Sequence, residues 1–219
     1  EKVKDFWIKG DTAAEYIGRV IEYIAVKEVS DIMDYNDVNK YVEKVIESNS
    51  FLVDNIIPDF ITASDLKYLL TCLVREKVSV KNIVYIFEKI NDYANEPTKE
   101  DLLDKVRLAL SRHIVKDLAK DGELKVIEFS DEILDRVYSF FKEDEEEAII
   151  RIDSCEVQDI ASRLMKIAKA KKITSPVIAV PMDIRHMVFV ILSEFVQDLT
   201  VLAHEELVSD YNIKFIGKI

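Results

Sequence analysis

The chain has 219 residues, 49% of them hydrophobic, enough to bury a core that offsets chain entropy. Its formal charge is −12, and because phosphate binding depends on Lys and Arg displacing counterions, protein partners are favoured and nucleic acid is not. Four glycines leave no material for a dinucleotide or phosphate loop, and two distant cysteines give no zinc spacing and no disulfide framework, so a reducing compartment and no cofactor are expected.

The first segment, DFWIKGD, reads as a short strand over Phe6 to Ile8 that ends at Gly10. Asp11 or Thr12 then caps a helix through AAEYIGRVIEYIAVKEVSDI, with Ile17, Val20, Ile21 and Ile24 as its apolar stripe. Asp34 caps a second helix with Val38, Tyr41, Val42, Val45 and Ile46 on one face, ended by Asn49 and Ser50. After Pro58, Thr62 or Ser64 caps a helix whose stripe is Leu66, Leu69, Leu70, Leu73 and Val74. Across the short insert REKVSVK, Ser79 is expected to cap the next helix, whose stripe is Ile83, Ile86, Phe87 and Ile90. Thr98 caps a further helix through Leu102, Leu103, Val106 and Leu110.

From Gly122 the pattern changes, with LKVIEF strand-like, DEILDRVYSFF and SCEVQDIASRLMKIAKAKK helical, and VIAV a buried strand between Pro176 and Pro181. The helix DIRHMVFVILSEFVQ and the strands TVLAHEEL and NIKFIGKI complete the chain. The expected class is α+β and mostly helical. Residues 1–57 would form a partial α/β subdomain, 58–119 a helical subdomain, and 120–219 an α/β subdomain with a small mixed sheet; hinges are expected near Asn55 to Asp59 and Lys120 to Gly122. Charge follows this division: residues 60–115 carry 9 Lys/Arg against 8 Asp/Glu, whereas 1–59 carry 7 against 13 and 116–219 carry 14 against 21. The acidity sits at both ends.

No apolar run approaches the roughly 20 residues of a bilayer-spanning helix. The chain opens on Glu1 without a secretory pattern and reads as a fragment. The tight corner between Leu66 and Ile90 has the outline of a DNA-reading helix pair, but Glu88, Asp92 and the acidic flanks oppose phosphate contact. Asp183 beside His186 reads as a helix cap rather than an acid/base pair, and no two histidines have metal-ligand spacing. The acidic run Glu143–Glu147 suits a solvated loop or a first helical turn, and Lys169–Lys172 a helix C-terminus.

The hairpin LKYLLTCLVREKVSVKNIVYIFEKINDYA, followed by LLDKVRLALSRHI, resembles the cytoplasmic domain of the type III secretion export-gate family (FHIPEP), which includes flagellar FlhA and its injectisome counterparts. That family shows a leucine-rich helix, an LLRE-x-VSIRD corner and a VR-x-ALSR helix. The ending PMDIRHMVFVILSEFVQDLTVLAHEELVSDYNIKFIGKI is similar to the family's as well, so the resemblance covers most of residues 56–219. SIRD stands here as Ser79, Val80, Lys81 and Asn82, and VLSY as Val201, Leu202, Ala203 and His204.

The resemblance implies a domain below an inner-membrane part that this chain lacks, on the cytoplasmic face of a bacterial inner membrane. It implies a nonameric homo-oligomeric ring that receives chaperone–substrate complexes, a gatekeeper protein and the ATPase stalk, and catalyses no reaction. It also implies that an early inserted subdomain, and with it part of the chaperone cleft, is missing. Arg75, Glu76, Lys77, Lys81 and Arg107 are the expected ring-contact residues, and Asp11, Thr12 and Tyr16 the expected chaperone and substrate docking residues. The alternatives are an α/β enzyme using Asp183, His186 or Cys155, and a stand-alone protein-binding adaptor.

Overall fold

The computed structural model describes residues 12–54, 56–140 and 153–219. The expected strand over Phe6–Ile8, Asp11, Asn55 of the first hinge, and the acidic run Glu143–Glu147 lie outside them. The described residues are mostly helical with one small sheet, as the sequence leads one to expect, and fall into two compact units that divide between Val106 and Arg107.

In the first unit, α1 (Ala13–Lys27) and the single turn α2 (Val29–Ile32) replace the one long helix expected there. A capping box starts α1: the Glu15 amide donates to Thr12 Oγ1 at 3.2 Å, and the Thr12 amide to Glu15 Oε2 at 3.0 Å. Asp34 opens α3 (Tyr35–Asp54) by accepting the Asn36 and Asp37 amides. Asn49, the expected end of this helix, is instead a break (φ −163°, ψ 91°), after which helical geometry resumes to Asp54.

Thr62, paired with Asp65 in a second capping box, begins α4 (Ala63–Arg75), and its leucines at 66, 69, 70 and 73 are all buried. Ile83, Ile86, Phe87 and Ile90 of α5 (Ile83–Asp92) and Leu102, Leu103 and Val106 of α6 (Lys99–Leu118) are likewise buried, as are Val38, Val45, Leu52 and Val53 of α3. Thr98 starts α6 by accepting the Asp101 amide at 3.0 Å. Tyr68 ties α4 to α6, donating to Glu100 at 3.2 Å with the Lys99 ammonium 4.4 Å from its ring centre. Burial above all pushes the Tyr68 hydroxyl well above its usual pKa.

Ser79 does not cap α5. The helix begins four residues later, after Asn82, and the Ser79 hydroxyl instead accepts the Lys81 amide at 3.4 Å.

The second unit is built on four strands, β1 (Glu123–Glu128), β2 (Val177–Val180), β3 (Thr200–Ala203) and β4 (Asn212–Lys218), in the spatial order β3-β2-β1-β4. Their pairing is parallel throughout, where a mixed sheet was expected. The reason is topological. The helices α7 (Asp131–Ser139), α8 (Ser154–Ala170) and α9 (Met182–Leu192) lie between successive strands and return the chain to the same sheet end, and β4 runs beside β1 rather than folding back on β3. β1 and β4 pair from Glu123↔Asn212 to Glu128↔Lys218, with a shift after Val126 that leaves Ile216 as the extra residue. Ile127, Ile133, Ile160, Leu164, Ile178 and Val188 centre the core. α8 crosses β4 so closely that a Cβ on Gly217 would stand 2.9 Å from Ile167 Cγ2.

Candidate protein-contact surfaces

An amphipathic helix normally buries its apolar stripe, but α1 buries no residue. Ile17, Ile21 and Ile24, spaced to share one face, are 56%, 60% and 48% exposed. Ile32, Tyr35, Ile46, Phe51 and Phe60 are also exposed, whereas the second unit exposes only Tyr138, Phe195 and Phe215 among its described large apolar side chains. Bare apolar surface is thus concentrated in α1 to α3 and the segment after them, the kind of surface that marks a protein-contact site.

Beside it, Val29, Ile32, Met33 and Tyr41 floor a groove of roughly 430 Å³ between α2 and α3, rimmed by Asp37, Lys40 and Lys44. Lys40 bonds to Asp37 at 2.8 Å, which lowers the Asp37 pKa and raises that of Lys40. The Lys67 ammonium stands 5.5 Å from the Tyr35 ring centre.

Of the expected docking residues, Thr12 serves as the α1 cap and Tyr16 is half-buried in the helix's first turn, with the exposed isoleucines continuing from it along α1. Asp11 lies outside the described residues.

The α4–α5 corner is a Schellman turn. Val78 N–H donates to Leu73 O at 2.8 Å, Lys77 N–H to Val74 O at 2.9 Å, and Lys77 itself has φ +60°. Leu73 and Val78, the apolar pair such a turn brings together, are both buried. The turn holds Lys77 out at its tip, with Lys81 exposed a few residues on and Arg75 half-buried. Glu76 is buried and is no surface charge. Arg107 is corrected more strongly: it is 1% exposed and paired with Glu206, so it presents nothing to a neighbouring copy.

Sequence reading missed Glu206 altogether. It sits in HEEL, taken as the continuation of a strand, whereas β3 stops at Ala203 and a 3-10 turn, His204–Glu206, swings the carboxylate inward. A glutamate three residues past the end of an apolar strand was the available signal.

Asp183 was expected to cap α9 and does not. The cap position is Pro181, and the Asp183 carboxylate accepts the Tyr138 hydroxyl from α7 at 3.0 and 3.1 Å. Burial first, and then that bond, raises the Tyr138 pKa. Cys155 is exposed in the first turn of α8, His186 is half-buried in α9, and no group of three described His, Cys, Asp or Glu side chains could hold a metal.

The FHIPEP family model matches residues 8–212. The flagellar biosynthesis protein FlhA of Bacillus subtilis (strain 168) is 28% identical over 200 residues, a match that takes in 85% of this chain and 28% of that protein. The solved structure of the Shigella flexneri MxiA protein superposes with a TM-score of 0.83 at 22% identity, covering 95% of this chain and 66% of that one. The cryo-EM structure of nonameric EPEC SctV-C gives 0.80 at 20% identity, over 95% of this chain and 64% of that one. The chain therefore spans less than a third of its flagellar relative and about two thirds of these solved domains.

Proposed function

The chain belongs to the FHIPEP family, the export-gate family of type III secretion, and on that premise we propose that it is part of the gate's cytoplasmic ring domain, a non-enzymatic receiver of export cargo. The observation that carries this reading is the exposed apolar array of α1 to α3 on a fold that, in EPEC SctV-C, stands in a nonameric ring. Bare isoleucines on a regular helix are of little use to an isolated molecule and of direct use to one that binds other chains.

On this reading α1, from Thr12 and Tyr16 through Ile24, contributes to docking chaperone–substrate complexes. The α4–α5 corner, with Arg75, Lys77 and Lys81, contacts the neighbouring copy, and the near-neutral charge of residues 60–115 limits repulsion between identical subunits. The gatekeeper and the ATPase stalk are further partners, and the site of action is the cytoplasmic face of the bacterial inner membrane. None of the described helices is long and apolar enough to cross a membrane.

Sedimentation velocity over a wide concentration series, with negative-stain imaging at the top concentration, tests the assembly. Closed rings that grow in with concentration, and that are lost on joint Arg75→Glu and Lys81→Glu substitution, are expected. A chain that remains monomeric throughout would overturn ring formation by this part of the protein.

A further inference from the structure

Along one face of α8, Gln158, Ala161, Ser162, Met165, Lys166 and Lys169 line a groove of roughly 400 Å³, closed on its other side by Phe195 from the turn after α9. Phe195 is 43% exposed, a large aromatic left half in water beside a ready apolar floor. The second half of α8 and the turn after it are one-sidedly basic in an acidic chain. From residue 163 to 172 it carries Arg163, Lys166, Lys169, Lys171 and Lys172 and not one acidic residue. Arg163 is engaged by Asp159 at 3.0 Å, and Glu194 adjoins Phe195 in sequence.

The helix macrodipole accounts for lysines in and just beyond the last turn, at its negative end. Lys166, a full turn earlier and on the groove itself, lies outside that account.

We propose that this groove docks an amphipathic helical segment of a protein partner, with apolar residues seated against Met165 and Phe195 and an acidic flank facing Lys166 and Lys169. The groove supplies the two elements of helix-in-groove recognition, an apolar trough along a helix and a charged rim of one dominant sign that sets register. The charge decides the chemistry of the occupant. A basic segment would meet the same lysines with repulsion, and the apolar floor favours a peptide over a nucleic acid. The inference goes beyond the ring and gate reading and does not depend on assembly, since the groove lies within the second unit alone.

The test uses the full 219-residue chain and two labelled peptides of about 18 residues, long enough to turn helical. Both carry leucines at the spacing of one helix face, one with glutamates on its flanks and the other with lysines. Fluorescence anisotropy at low salt is expected to show the acidic peptide binding about tenfold or more tightly than its basic counterpart, with the difference shrinking as salt rises. Joint Lys166→Glu and Lys169→Glu substitution should abolish the preference, and Phe195→Ser should weaken both peptides while leaving the far-UV dichroism unchanged. Equal binding of the two peptides, no binding of either, or acidic-peptide binding indifferent to all three substitutions overturns the proposal. Two other occupants would also overturn it. One is a second copy, recognised by dimerisation that the same substitutions abolish. The other is the chain's own acidic run, recognised by peptide binding that appears only when Glu143–Glu147 are replaced by serine.

Discussion

Arg107 and Glu206 face each other in the interior of the second unit, Nε 3.0 Å from Oε1 and Nη2 donating to Oε2 at 3.2 Å, each side chain 1% exposed. The Ala203 amide donates to the same carboxylate at 2.9 Å, and Arg107 Nη2 reaches the Val201 carbonyl at 3.4 Å. The pair therefore pins the end of β3 and the turn behind it to α6. Removing one partner strands a buried charge, so Arg107→Met is expected to cost about 3–5 kcal/mol in urea unfolding followed by dichroism. Replacing both, Arg107→Met with Glu206→Leu, should recover a large part of that loss. Additive losses in the double variant would mean the two side chains act independently.

Lys77 and Lys172 both occupy the left-handed position of a Schellman turn, at φ +60° and +56°. At the second, Ile173 N–H donates to Ala168 O at 2.8 Å and Lys172 N–H to Lys169 O at 3.1 Å. A side chain there costs about 1 kcal/mol that glycine avoids. Lys77→Gly and Lys172→Gly should each raise the unfolding midpoint, and the first should weaken ring contacts only if the Lys77 ammonium, rather than the turn, makes them.

Gly217 marks a close approach of backbone to side chain. Gly217→Ala drives a methyl to within 2.9 Å of Ile167 Cγ2 and 3.1 Å of its Cδ1, and overpacking of this kind costs about 1–3 kcal/mol. Adding Ile167→Ala should offset much of that strain. A Gly217→Ala protein as stable as the parent would show that α8 can slide on the sheet.

Asp159 joins α7 to α8, with Arg136 at 3.2 Å and Arg163 at 3.0 Å. The hydrogen bond from Arg136, and after it that from Arg163, lowers its pKa from the ordinary 3.8. With a depressed folded value, the contribution is complete above 3.8 and is lost as the pH falls through the lower folded value. Asp159→Asn should therefore melt slightly below the parent at neutral pH, with the gap closing in acid and shrinking with salt. A gap that persists in strong acid would assign the loss to packing.

The exposed isoleucines of α1 separate folding from docking. Ile21→Lys gives up no core contact and should change stability by no more than about 0.5 kcal/mol. The same change should sharply reduce capture of export chaperone–substrate complexes. Undiminished capture would remove α1 from the docking surface.

Local chemistry made most elements legible in the sequence. Thr62 and Thr98 are caps because an acidic residue three positions on completes the hydrogen bonding, and the four leucines of the α4 stripe are buried as their spacing predicts, with Val74 half-buried. Ser79 and Asp183 fail as caps because their surroundings, a Schellman exit and a tyrosine on another helix, decide the geometry. Arg107 could not be read as buried, since its partner lies 99 positions further along the chain. The strands were visible as apolar runs, but their direction depends on connections that periodicity does not encode. For α1, periodicity identified the apolar face; it carries no information about what covers it.

The pairing of β1 with β4 also bears on synthesis. Glu123 waits for Asn212, so while the ribosome makes almost the whole of the second unit, one edge of β1 stays unpaired even after β2 has been made to cover the other. The sheet gains its fourth strand only once Lys218 is free, so the intermediate that precedes it carries an open strand edge, the kind of surface that chaperones hold.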